Sequence, residues 1–200
     1  MNLDNQKANS DRTLAAEENS SDRPVANERK KTRFGFAETD FVVYPAHGVG
    51  QILSIEEQAV AGVSLEFFVI NFAKSQMTVR VPTRKAASVG LRKPSDSATI
   101  QRAKLLLGQV PRKSRGTWSR LAQQYQNKIN SGDIVAVAEV VRDLCRPGVD
   151  SGQSFSERQL YVSALDRLSS EVALVDGISG EQACREIETL VKAGALKRSA

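Results

Sequence analysis

The sequence predicts an α+β protein with more than one domain: a polar tail over 1–36, a small antiparallel β barrel over 37–93 and an all-α domain of about five helices over 94–200. Three observations predict it. The first 36 residues are dominated by Asn, Ser and charged side chains, with little from which to build an apolar face. From Phe41 onward, short β-rich runs are punctuated by Gly and Pro. After Pro94 the apolar residues switch to helical spacing. At 40% hydrophobic and 26% charged, the 200-residue chain has an ordinary globular composition, which excludes a wholly disordered protein.

The tail cannot offset its own ordering entropy and is expected to be disordered. Its end, Arg29-Lys30-Lys31-Thr32-Arg33, reads as a solvated basic cluster. Four strands follow, at Phe41–Tyr44, Val49–Ile55, Leu65–Phe72 and Met77–Val81. Turns at Pro45-Ala46-His47-Gly48, Ala61-Gly62 and Ala73-Lys74-Ser75-Gln76 separate them. In the last strand the period of two sends Met77, Val79 and Val81 to the core, so Thr78 and Arg80 face outward and Arg80 is a presented cation.

The first helix is marked by Ile100, Ala103, Lys104 and Leu107 and closes near Gly108 and Pro111; the second, with Trp118, Leu121, Tyr125 and Ile129, ends at Gly132. Asp133 caps a third helix lined by Ile134, Val137, Ala138, Val141 and Leu144, which Pro147 stops. A capping box at Ser156-Glu157-Arg158-Gln159 opens the fourth, with Leu160, Ala164, Leu168, Val172 and Val175 inward; another at Ser179-Gly180-Glu181-Gln182 opens the fifth.

Chemistry of the enzymatic kind finds little support. His47, the single histidine, sits in a turn with no cysteine or carboxylate pair beside it, so it offers neither a metal site nor a base for a nucleophile. Gly48-Val49-Gly50 lacks the third glycine and following helix of a dinucleotide loop. Glu56 and Glu57 are neighbours on a strand and point to opposite faces. Two cysteines, Cys145 and Cys184, are too few for a disulfide framework and fit a reducing compartment. The start, Met1-Asn2-Leu3-Asp4-Asn5, has no basic or apolar leader region, and no run of about 18 apolar residues occurs, so a cytoplasmic protein without a membrane partner is expected. No metal, cofactor or small-molecule substrate is expected, and a monomer is the expected state.

The net charge of +5 is unevenly spread: +1 over 1–36, +1 over 37–93, +5 over 94–148 and −2 over 149–200. Residues 97–132 contain no Asp or Glu and seven cations: Arg102, Lys104, Arg112, Lys113, Arg115, Arg120 and Lys128. Cations without acids suit a partner whose phosphates must be neutralised, although a solvated helix face is the plain alternative. In their midst stands the only tryptophan, Trp118, at a helix start between Arg115 and Arg120. It is either an apolar wedge for an opened DNA step or, sharing the period of Leu121, Tyr125 and Ile129, a staple into the helical core.

Read in order, Asp40-Phe41-Val42-Val43-Tyr44-Pro45-Ala46-His47-Gly48-Val49-Gly50, Met77-Thr78-Val79-Arg80-Val81-Pro82, Thr117-Trp118-Ser119-Arg120, and Ser131-Gly132-Asp133 followed by Ala138-Glu139-Val140-Val141-Arg142-Asp143-Leu144 resemble the CarD/CdnL family of bacterial transcription regulators over about residues 40 to 195. The resemblance implies a Tudor-like β domain, similar to that of the transcription-repair coupling factor, that binds the RNA polymerase β subunit. It also implies a helical domain on promoter DNA, with largely non-specific contacts. Arg80 matches the family's polymerase contact; a second contact, an arginine in some relatives, falls at Gln58, with Val60 available to pack beside it. Trp118 matches the tryptophan that wedges into the minor groove at the upstream edge of the open complex. Arg120 and Arg158, the latter at a family lysine, are the implied backbone contacts. Leu121 replaces a second arginine common in relatives, so the phosphate grip shifts to Arg112, Lys113 and Arg115. The expectation is a non-enzymatic regulator; the rival reading is a protein–protein adaptor without direct DNA contact.

Overall fold

The computed structural model describes residues 31–60, 62–112, 116–146 and 152–197. Two hydrophobic cores form, one in a β module and one in a helical module. The β module holds β1 (Thr32–Arg33), β2 (Phe36–Ala37), β3 (Phe41–Tyr44), β4 (Gly48–Val60), β5 (Val63–Phe72) and β6 (Met77–Pro82). The last four make one antiparallel sheet in sequence order, and β1 and β2 form a separate hairpin. The sheet is strongly bent but does not close strand to strand. Instead the chain beyond β6 returns to the free edge of β3, where Val43 and Arg92 exchange both backbone hydrogen bonds at 2.8 and 3.1 Å.

Alternation holds as expected on β6: Thr78 and Arg80 are exposed, while Met77, Val79 and Val81 are wholly or partly buried. On β4 it breaks. A bulge between Ile52 and Ser54 shifts the phase, so Ile52 and Ile55, three apart, both enter the core and Leu53 turns to solvent. Gly50 is required by a close approach: a Cβ there would lie 2.7 Å from the Phe72 ring.

One boundary needs correction. The expected tail ends at residue 36, yet Phe36 is buried and meets Phe68 edge-on at 5.7 Å between centroids. Arg33 pairs with Glu66 at 2.8 Å, clasping the hairpin to β5. The sequence reading weighed the polarity around Phe36 and missed that a single aromatic suffices to anchor a two-residue strand. The rest of the tail expected to be disordered, residues 1–30, lies outside the described residues.

The helical module comprises α1 (Ser97–Leu107), α2 (Trp118–Asn130), α3 (Ile134–Leu144), α4 (Phe155–Asp176) and α5 (Gly180–Leu196). Asp96 caps α1 through Thr99 N–H, and Asp133 caps α3 through Val135 N–H, both at 2.9 Å. The box opening α4 sits two residues earlier than expected: Ser154 Oγ accepts from Glu157 N–H, and Glu157 accepts from Ser154 N–H at 2.8 Å. Both frames satisfy the pattern, but only Ser154 puts the Glu157 charge at the third helical position, where it also meets the helix dipole. The box at Ser179 and Gln182 forms as expected. Lys104, placed among the apolar markers, instead ties α1 to Asp176 and Glu186, each at 2.7 Å. No described helix is long and apolar enough to cross a membrane.

Phe36→Ala is expected to lower unfolding free energy by about 3 kcal/mol in urea titrations, as loss of a core ring does. An unchanged midpoint would return the hairpin to the tail.

Candidate nucleic-acid and polymerase faces

Trp118 is the first residue of α2, behind Thr117, whose side chain makes no cap hydrogen bond. The first-turn amides of α2 therefore lack a side-chain cap, and no acid lies in that turn, which leaves a partial positive charge at the helix start. The indole is half-buried: it packs on the helical core, and its Nε1–H donates to Ser156 Oγ at 2.9 Å. That bond joins the start of α2 to the start of α4. Both readings of Trp118 thus find a physical basis, since the ring leans on the core yet keeps exposed surface.

Beside it lies a residue the sequence reading did not single out. Phe155, 82% exposed, opens α4 next to Ser156. It stands at the mouth of an open groove between α2 and α4, lined also by Ser119, Gln123, Gln126 and Gln159. The signal was legible: with the box correctly framed at Ser154, Phe155 becomes the first helical residue, outside any inward stripe. Arg158 follows one turn later, exposed, on an adjoining groove that shares Phe155, Gln126 and Gln159.

The seven cations separate by partner. Lys104 belongs to the ion cluster above, and Lys128 pairs with Glu139 at 2.6 Å, joining α2 to α3. Arg102, Arg112 and Arg120 are exposed and make no ion pair among the described residues, and the same holds for Arg158, outside that segment on α4. Lys113 and Arg115 lie outside the described residues. What holds Arg112 is its backbone: its N–H donates at 3.0 Å to Asp143, a carboxylate buried beside Arg142, whose Nε donates to the same oxygen at 2.8 Å. Arg142 is 1% exposed. The Val141-Arg142-Asp143-Leu144 motif thus fixes, from within α3, the loop that enters the cationic segment.

The other sequence-derived residues lie on the sheet. Arg80 is exposed on β6, an edge strand, across from Val69. Its Nε lies 3.6 Å from Glu56 on β4, a partner the sequence reading considered only as a possible acid or base. Gln58, two residues beyond Glu56, is exposed on the same outward face. Val60 ends β4, paired with Val63. The structure therefore brings Arg80 and Gln58 onto one face with Glu56 between them, on a different module from Trp118.

Among the described residues, no group of three His, Cys, Asp or Glu side chains could hold a metal. Burial raises the Cys145 and Cys184 thiols, so neither is an activated nucleophile. The Lys128 ammonium holds the Glu139 carboxyl below its ordinary value of 4.5.

Two tests follow from this geometry. Ser156→Ala is expected to cost about 1 kcal/mol and to shift the emission of the single tryptophan; unchanged emission would mean that the indole N–H is not held there. Because the folded-state pKa of Glu139 is depressed, its pairing stabilises the fold above pH 4.5 and is lost as pH falls through the lower folded value. Lys128→Met should therefore flatten the acid limb of the stability curve, and an unchanged limb would deny the tie.

Comparison with known proteins bears on both modules. The family model described as the CarD-like/TRCF RID domain matches residues 36–95, and that of the CarD C-terminal domain matches 103–188. The chain is 32% identical over 143 residues to "Putative transcription factor YdeB" of Bacillus subtilis (strain 168), covering 72% of this chain and 94% of that protein. The solution NMR structure of the 72-residue N-terminal domain of Myxococcus xanthus CarD shows 36% identity, covering 29% of this chain and 77% of that one, with a TM-score of 0.26.

Proposed function

The chain belongs to the CarD/CdnL family of transcription regulators, and on that premise we propose that it docks on the RNA polymerase β subunit and stabilises the promoter open complex by lodging Trp118 in the minor groove at the upstream bubble edge. Arg80 is the principal polymerase contact, with Gln58 and Val60 beside it. Arg112, Lys113, Arg115, Arg120 and Arg158 neutralise DNA phosphates. No catalysis is involved, and one copy carries both contacts.

The observation that carries this reading is the half-buried indole at the uncapped start of α2, tied to Ser156 beside exposed Phe155, with the exposed Arg120 and Arg158 in the first turns of α2 and α4. A wedge needs an apolar edge to unstack a base step and a firm backing to resist being pushed aside. Core packing and the Ser156 bond supply the backing. An uncapped helix start and exposed arginines suit the flanking phosphates. The indole N–H is already given to Ser156 and Phe155 has no polar atom, so these two rings respond to groove width and not to base edges. Since docking on polymerase raises the local concentration of the helical module at the promoter, weak intrinsic DNA affinity suffices.

On the sheet, Arg80 already leans toward Glu56. An exposed pair of this kind is worth about 0 to 1 kcal/mol, so exchanging Glu56 for a polymerase carboxylate costs little.

Trp118→Ala is expected to shorten the open-complex lifetime with cognate polymerase while the protein still melts cooperatively; a wild-type lifetime would refute the wedge. Arg80→Glu should abolish β-subunit pull-down and leave DNA binding by the free protein intact, and retained pull-down counts against the docking face. Free DNA binding should weaken steeply with salt, and replacing Arg120 or Arg158 by Ala should each reduce the log–log slope by about 0.9. Binding indifferent to salt, or absent, would favour the protein–protein adaptor.

A further inference from the structure

The docking face and the DNA face sit on different modules, joined covalently only by the short segment between Arg92 and the start of α1 at Ser97. Four residues reach roughly 13 Å and by themselves set no orientation. What sets it is α4. Its N-terminal end carries Ser156, which holds the Trp118 indole. Nearer its C-terminal end, about 22 Å along the axis from Ser156, it carries Glu171, which is 4% exposed.

Glu171 is held from three directions. Arg92 Nη1 and Nη2 donate to its two oxygens at 2.7 and 2.8 Å, and Ser95 N–H donates at 2.9 Å. Arg92 itself belongs to the β module through its backbone pairing with Val43, and its Nε donates at 2.6 Å to the carbonyl of Gly132, in the turn between α2 and α3. One arginine therefore holds the sheet edge through its backbone and, through its guanidinium, the linker, the α2–α3 turn and α4. Residues one turn earlier on α4 make further contacts with the β module: Lys74 pairs with Asp166, and Arg167 Nη2 donates to the Ala46 carbonyl at 3.1 Å. Pro45 packs where a Cβ on Gly132, at a φ of +75°, would approach within 3.2 Å.

We infer that Arg92 and Glu171 are positioning residues that make α4 a strut, setting the location of the Trp118 indole relative to the polymerase-docked sheet. This rests on the function proposed above. A planar fork allows one geometry where a point charge allows many, so the pair selects an angle between the modules as well as holding them together. With the latch broken, each module keeps its own core and its own contact. The indole then samples many positions around the docked sheet, and its effective concentration at the groove falls.

The test uses the full chain with cognate polymerase holoenzyme and a linear promoter. Glu171→Ala is expected to retain β-subunit pull-down and salt-dependent binding to free duplex, yet to shorten the open-complex lifetime about tenfold, close to the value for Trp118→Ala. Combining Glu171→Ala with Trp118→Ala should shorten it no further than Trp118→Ala alone, because the latch acts only through the indole. A full lifetime for Glu171→Ala, or additive losses in the combined variant, overturns the inference. If Glu171→Ala fails to melt cooperatively, Arg92→Lys replaces it: the charge stays and the fork is lost, so an intermediate lifetime is expected and an unchanged one overturns the strut. If Trp118→Ala alone has a normal lifetime, the wedge reading has failed, whereas a short lifetime for Trp118→Ala beside a normal one for Glu171→Ala rejects the strut only.

Discussion

A carboxylate taken out of water costs several kcal/mol unless it regains charge and hydrogen bonds where it lies, and Glu171 is almost wholly out of water. It regains them only while the β module, the linker and α4 stand in one arrangement, because its three donors come from Arg92 and Ser95. Any rotation of one module against the other strands a buried charge. Apolar contact alone would tolerate sliding: the crevice between modules is lined by Val43, Pro45, Ile129, Ile134 and Leu168, side chains without directional bonds, together with Arg92 and Glu171 themselves. The ion pair supplies the direction that these contacts lack.

The second buried pair plays a comparable part at the entry to the cationic segment. Asp143 serves Arg142 and the Arg112 amide with one oxygen, so a charge inside the helical core is converted into a fixed starting point for the cationic loop. Placement of acids elsewhere completes the pattern. Residues 97–132 hold no Asp or Glu of their own, yet Asp176, Glu186 and Glu139 reach in from α4, α5 and α3 to satisfy Lys104 and Lys128. Cations used for helix packing are thereby neutralised by distant acids, and Arg112, Arg120 and Arg158 stay available.

Local physics made much of this readable from the chain. The strand at Phe41–Tyr44, the one expected at Met77–Val81, which runs one residue further to Pro82, and the caps at Asp133 and Ser179 depend on neighbours within a few positions, and each formed. The outward placement of Arg80 followed from period two alone. Errors arose where the outcome depended on distant residues or on a choice between equal local signals. Phe36 looked like tail because its partner, Phe68, lies far along the sequence. The α4 box had two valid frames, and the wrong one hid Phe155. Neither the Arg92–Glu171 latch nor the Asp143 contact to Arg112 leaves any trace in spacing, since a bond between residues dozens of positions apart exists only once the topology does. The family blocks located Trp118, but no local rule could tell how much of its ring the fold would cover.

That degree of cover bears on how such a ring could act. A fully exposed indole would be pushed flat against the surface on meeting stacked bases, and a fully buried one would never meet them. Trp118 is intermediate, with its polar edge tied to Ser156 and an apolar face on the core. An inserted side chain transmits force to whatever holds it, and here that is the first turn of α4. From there the helix runs without a proline or an internal glycine to Glu171, and so to the sheet. Helices of this kind bend only gently in the absence of a breaker, so force applied at the indole would be delivered to the β module instead of being lost in the joint.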